Sequence, residues 1–237
     1  RPYKGVFCST PPHLSGGAEG KLPEIPDMGI DIGMDGACAK KAVQPGCPVT
    51  FRPGFVSMVG SCVSSKSLDD RAGVASILFC LEQLKDVPLS VDIAVAFAVQ
   101  EELGCRGSAV AAYKLSPDKA IAVDVSFALT PDANPAKCGI LGKGPMIGIA
   151  PTLDNNMTRL LEDLAEEEGI PFQREVMGGD TGTDADSIAG VRAGVPTGLL
   201  SIPLRYMHTP VEMVDMADVE NTGRLMAAYV RKEGAAQ

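Results

Sequence analysis

From Ser67 onward the apolar positions alternate between two periods. In "SLDDRAGVASILFCLEQLK", Val74, Ile77, Leu78, Leu81 and Leu84 recur three and four residues apart and mark one face of a helix. "VDIAVAFAV" follows, an apolar run without helical spacing, which reads as a strand buried on both faces. The alternation continues with a short helix over "GSAVAAYKL", a strand "KAIAVDV" and a helix "NMTRLLEDLAEEEG" with Met157, Leu160, Leu161 and Leu164 on one side. The strand "FQREVM", a helix following "TDADSIAG", the strand "TGLLSIP" and a helix from about Asp218 to Lys232 complete the series. Such alternation predicts an α/β sandwich of helices packed around a sheet.

Residues 1–62 are patterned differently. They are rich in Pro and Gly and hold short runs such as "CPVTFRPGFVSMVG" with no long helical period, which predicts a small β domain ahead of a larger domain over 63–237. A chain of 237 residues can bury a substantial core, and its 45% hydrophobic and 22% charged residues are those of a globular protein.

The net charge of −9, with no segment where Lys and Arg collect, argues against nucleic acid as a partner. No apolar stretch reaches the roughly 18 residues of a membrane span, and nothing resembles a signal peptide, so a soluble, cytoplasmic protein is expected. Seven scattered cysteines without a C-x-x-C pair fit free thiols in a reducing compartment.

The acidic residues fall at element ends. Asp69 and Asp70 stand where a loop enters a helix, Glu101 and Glu102 follow a strand, Asp124 ends another, and His208 follows the strand ending "SIPLRYMH". Open α/β sheets bind ligands beyond the carboxyl ends of their strands, so these groups can converge on one rim. Gathered carboxylates repel one another and lose hydration unless a cation neutralises them, which makes a divalent metal the natural occupant. Singly, each acid is as well explained as a helix cap, a solvated turn or an ion-pair partner. Their ordered combination points to a site.

The stretches "SLDDRAG", "VQEELGCRG", "AIAVDV", "GDTGTDADSI" and "RYMHTPVEMVD" together resemble the dinuclear-metal aminopeptidases of the glutamyl and deblocking type. That family forms tetrahedral particles and includes proteins called endoglucanase M. "PPHL" at 11–14 and "DIG" at 31–33 resemble its inserted β domain. The resemblance implies a zinc-peptidase-like α/β/α sandwich around a mixed sheet, with a partial dimerisation-type β domain over 1–62.

It also implies roles. Asp69 would bridge two divalent ions, with the peptide to Asp70 cis; Glu102 and His208 would complete one metal site, and Asp124 would belong to the second. Glu101 would be the general base, taking a proton from a metal-bridging water and handing it to the departing amine. Zinc or cobalt suits this mixture of carboxylate and imidazole. The substrate would be a short peptide with a free amino terminus. Asp184 would line its pocket or cap the following helix, and Arg205 would contact substrate carbonyls or pair with an acid. Homo-oligomers from dimer to dodecamer are implied as well.

One feature departs from the family pattern. The family has a further His, in a His-x-Asp motif upstream of the insertion, that completes the second metal site. Here there are two histidines, and His13 lies in "PPHL", which matches a structural stretch. A preceding segment outside this sequence, a ligand donated by another chain such as a separate N-terminal fragment, or a degenerate relative would each account for it. Beside the aminopeptidase reading therefore stand a catalytically incomplete assembly subunit and a related metal-dependent deacylase.

Overall fold

The computed structural model describes residues 2–8 and 24–235. The chain separates into two units, 1–50 and 51–237. In the first, strand β1 (Val6–Phe7) pairs antiparallel with β2 (Ile30–Asp31), Phe7 opposite Ile30. Helix α1 (Gly36–Ala42) begins where the Asp35 carboxylate accepts the amides of Ala37 and Cys38, two donors that a first helical turn leaves without partners. No described residue of this unit is buried. "DIG" lies on and just after β2; "PPHL" and His13 lie outside the described residues.

The second unit is built on a mixed seven-stranded sheet. Its strands are β3 (Val56–Ser57), β4 (Cys62–Ser65), β5 (Ala120–Phe127), β6 (Met146–Ile149), β7 (Gln173–Val176), β8 (Thr197–Arg205) and β9 (Glu212–Asp215). The order is β3-β4-β9-β8-β6-β7, with β5 joined to β8. Strand β8 is the axis. It runs parallel to β5 from Ala120 opposite Thr197 to Phe127 opposite Leu204, and antiparallel to β6 and β9. Eight of its nine residues are buried, as a strand covered on both faces requires.

Helices α2 (Leu68–Leu84), α4 (Asn155–Glu167) and α6 (Met216–Glu233) supply one face: Leu84, Met157, Leu161, Leu164, Leu225 and Tyr229 pack on Ile147 and Leu200. The opposite face carries α3 (Arg106–Leu115) and α5 (Asp184–Ala189), where Ala185 meets Ala122 and Leu199, and Ala112 meets Val191 and Val195. This is the expected α/β/α sandwich. No described helix is long and apolar enough to cross a membrane, and all seven cysteines are free thiols.

Two expectations from the apolar pattern are corrected. "VDIAVAFAV" is not a buried strand: among the described residues 91–98 make no backbone hydrogen bond, and Val91, Ile93, Val95, Phe97 and Val99 are exposed. It lacks a neighbouring strand to pair with, and an unpaired strand has nothing to bury against.

Helix α2 keeps part of its predicted face, since Leu84 is buried and Ile77 packs against the same core, but it is turned towards smaller residues. Ala72, Gly73, Ser76, Cys80 and Leu84 are buried, whereas Leu78 is 53% exposed. Small residues set this rotation because they let α6 approach closely. The Ser76 hydroxyl donates to the Val219 carbonyl at 2.8 Å, and a Cβ added at Gly223 would lie 2.6 Å from the Ser76 carbonyl oxygen. The apolar count favoured the larger side chains; close packing favoured the smaller.

Candidate metal centre

Helix α2 starts irregularly. Ser67 is left-handed (φ 58°), Asp69 and Asp70 have non-helical torsions, and the peptide between them is cis. The two carboxylates consequently diverge. Asp70 turns inward and accepts the Gly73 amide at 2.8 Å, while Asp69, half-buried, reaches His208.

Glu101 and Glu102 open a short 3-10 turn (Glu101–Leu103) between Gln100 and Gly104, both left-handed. His208 follows β8 and is itself left-handed, as is Tyr206 two residues before it. Of the eight described non-glycine residues at positive φ, Ser67, Gln100, Tyr206 and His208 thus flank or form this site. Such conformations cost about 1 kcal/mol or more each and persist where the surroundings hold them, a pattern typical of functional sites.

The structure brings three of the expected ligands together. His208 Nε2 lies 3.2 Å from Asp69 Oδ2 and 3.4 Å from Glu102 Oε2, and one ligand atom from each residue falls within 4.8 Å of the others. Among the described residues this is the one group of at least three such side chains close enough to share an ion. Two carboxylates and an imidazole nitrogen form a donor set that suits a divalent cation such as zinc.

Asp124 stands apart from that trio. It is buried on β5, accepts the Val125 amide at 2.8 Å, and feels the charges of Glu101, Asp69 and Asp184. Glu101 accepts a weak bond from the Cys105 thiol, Sγ to Oε1 3.5 Å. Asp184 begins α5 and accepts the Ser108 hydroxyl at 2.6 Å; the cap of that helix is Thr183, whose hydroxyl accepts the Ala185 amide. Arg205 Nε donates to the Leu129 carbonyl at 2.7 Å.

The electrostatics are those of crowded acids. Burial pushes the Asp69 carboxyl up to about 6, with the charges of Glu102 and Glu212 adding and His208 opposing. Burial likewise raises Asp124 to about 7 and, with Asp124 beside it, Asp70 to about 9. Glu101 is raised by burial first, against the Cys105 bond. A bound cation would relieve this accumulated repulsion.

Sequence reasoning passed over the residue that fastens the site. Glu212, 3% exposed at the start of β9, accepts the Asp69 amide with Oε2 at 3.1 Å and the His208 amide with Oε1 at 3.0 Å. One carboxylate thereby ties two distant backbone segments. The available signal was an acid among apolar neighbours, Val211, Met213 and Val214, four residues beyond His208. Asp70, by contrast, plays the capping role that its place at the loop-to-helix junction already allowed, three residues before the Gly73 amide it accepts.

Asp69, Glu102 and His208, gathered at one rim of an α/β/α sandwich, form a candidate site for a divalent cation. The sequence matches the M42 glutamyl aminopeptidase family over residues 1–225, and the chain belongs to that family. It is 33% identical to the lysyl aminopeptidase of Pyrococcus furiosus over 232 residues, 96% of this chain and 66% of that protein.

Among solved structures it is similar to an aminopeptidase from Desulfurococcus kamchatkensis, with 34% identity and TM-score 0.86, covering 98% of this chain and 66% of the other. It is also similar to the Pyrococcus horikoshii TET1 peptidase, which assembles into a tetrahedron or an octahedral shell, with 32% identity, TM-score 0.79 and coverage of 96% and 68%. The chain thus spans about two thirds of the length of these relatives.

Proposed function

We propose that this chain carries the catalytic centre of a metal-dependent aminopeptidase that removes N-terminal residues from short peptides. The observation supporting this most is the meeting of Asp69, Glu102 and His208 within 4.8 Å, with Glu101 on the same turn as Glu102. In this reading Asp69, Glu102 and His208 hold one divalent ion, and Asp69 with Asp124 contributes to a second, zinc or cobalt being suitable. Such ions, when bound, polarise the scissile carbonyl and lower the pKa of the attacking water towards about 7.

The protein groups do the rest. Glu101 accepts the proton of the attacking water and delivers it to the departing amine. It can do so because its neighbour Glu102, and not Glu101 itself, is turned to His208. The Cys105 thiol steadies its carboxylate. Glu212 holds Asp69 and His208 in register from behind through their amides. Asp184, fixed by the Ser108 hydroxyl, offers a negative group to the ammonium of a free peptide N-terminus. Assembly into homo-oligomers belongs to the same proposal and is supported by the shells formed by the Pyrococcus horikoshii relative.

The test compares hydrolysis of aminoacyl p-nitroanilides with that of N-acyl amino acids, after chelation and after reloading with zinc or cobalt. Metal-restored cleavage of the anilides supports the proposal. Preferential turnover of the N-acyl compounds, or cleavage indifferent to metal, refutes it.

A further inference from the structure

Helix α3 begins on a knot in the chain. The Gly107 amide donates to the Val99 carbonyl, the Arg106 amide to the Gln100 carbonyl and the Cys105 amide to the Glu101 carbonyl at 2.8 Å. Gln100, Gly104 and Cys105 are left-handed, at φ 60°, 100° and 51°, and together they turn the segment back so that residue 105 returns beside residue 101. Glycine would take the last of these conformations without strain; cysteine does not. What the cysteine brings is a donor. Its Sγ lies 3.5 Å from Glu101 Oε1, and towards an ionised carboxylate a thiol can only donate.

Three residues on, the same helix face presents a second donor. Ser108, 4% exposed, has its hydroxyl 2.6 Å from Asp184 Oδ1 and 3.0 Å from the Cys105 carbonyl. It has one proton to give, and the carboxylate is the stronger acceptor. Among the described residues, Cys105 is the one hydrogen-bond partner of the Glu101 carboxylate and Ser108 the one partner of that of Asp184. The two acids therefore hang from a single turn of helix.

They are also electrostatic neighbours, since Glu101 and the Cys105 thiol both feel the charge of Asp184. Burial, then the bond to Glu101 and the charges of Glu101, Asp184 and Asp124, push the thiol up to about 12. It stays an S–H at neutral pH, a donor and not a competing anion.

We propose that the first turn of α3 brackets the reacting groups: the Cys105 thiol positions the Glu101 carboxylate, and the Ser108 hydroxyl positions the Asp184 carboxylate, so that base and ammonium acceptor keep a fixed separation. This rests on the hydrolytic reading and divides it between two positioning residues, neither of which touches substrate. Loosening the base slows the chemical step. Loosening the ammonium acceptor weakens capture of the peptide.

The metal-loaded 237-residue chain and its variants would be assayed on aminoacyl p-nitroanilides. Cys105→Ala should lower kcat about tenfold with KM held, the effect of one lost orienting bond, and Cys105→Ser, which keeps a donor, should recover most of it. Ser108→Ala should raise KM about tenfold and leave kcat near that of the parent. In a Glu101→Gln background Cys105→Ala should change nothing further, because a residue that acts through another has no effect once the other is gone. Independently of turnover, iodoacetamide should label Cys105 in the metal-free chain more slowly than the exposed Cys38, and about tenfold faster after Glu101→Gln. Equal labelling with and without the Glu101 carboxylate, an unchanged kcat in Cys105→Ala, a loss that Cys105→Ser does not recover, or an unchanged KM in Ser108→Ala would each overturn the bracket while the parent still cleaves. A parent that cleaves nothing would overturn the hydrolytic reading itself, and the bracket with it.

Discussion

Removing the carboxylate of Glu212 is the sharpest probe of how the centre is held. Two backbone amides, Asp69 N at 3.1 Å and His208 N at 3.0 Å, end on its two oxygens in a nearly solvent-free position. In Glu212→Gln one oxygen survives as an acceptor, while the new amide group presents a donor to a donor. One charge-assisted bond is lost and one buried N–H is left unpaired, a cost of about 2–3 kcal/mol. Relief of the repulsion between Glu212 and Asp69 offsets part of it, leaving about 2 kcal/mol.

For a chain of this size that corresponds to a Tm lower by roughly 4–8 °C. Glu212→Ala strands both amides and should cost about twice as much. Because the anchored residues are the expected ligands, affinity for zinc should also fall by about 10–100-fold in Glu212→Gln, as for other groups that orient metal ligands. Urea denaturation of the metal-free protein and calorimetric zinc titration measure the two effects separately. If both variants matched the parent in midpoint and in zinc affinity, the clamp would have no energetic meaning and the reasoning would fail.

Other outcomes follow from the same geometry. Glu101→Gln should lower kcat by about 10²–10⁴-fold while leaving metal content unchanged; a variant that turns over normally, or that loses its metal, would dismiss Glu101 as the base. Gly223→Ala should destabilise by about 1–3 kcal/mol, seen in chemical denaturation, because its methyl meets the Ser76 carbonyl at 2.6 Å; unchanged stability would mean α2 and α6 can separate freely. Asp218, buried in α6, accepts the amides of Gly142 and Gly144, each at 2.7 Å, and burial raises its carboxyl from 3.8 to about 6. A folded-state value above the unfolded one means that its contribution to stability is full below about pH 4 and is lost as pH rises through about 6. The Tm of the parent relative to Asp218→Asn should therefore improve between pH 7 and pH 5, and a constant difference would contradict this.

Much of this organisation was legible because it is written in periodicity. Strand β8 and helix α4 declare themselves through continuous and three-four apolar spacing, and both occur where expected. Asp69, Glu102 and His208 were legible as acids and an imidazole at element ends, and they meet. What stayed hidden depends on a neighbour. The segment 91–99 has the composition of an interior strand, but pairing is a property of two segments and its partner lies outside the pattern that can be read locally. The face of α2 was only partly legible: Leu84 and Ile77 do face the core, but Ala72, Gly73 and Ser76 are small, and hydropathy counts size where packing rewards its absence. Glu212 carries no catalytic signature at all; its importance lies in what its carboxylate holds.

The tight seating of α6 against α2 reaches beyond structural economy. Asp69 belongs to the first turn of α2, and Glu212 belongs to the strand that leads directly into α6. The gap between the helix pair therefore sets the distance between Asp69, a ligand in the proposed reading, and the Glu212 carboxylate that holds its amide. If the proposed metal site is occupied, changes made far from the rim that harden or loosen that helix pair should alter cation retention as well as heat tolerance.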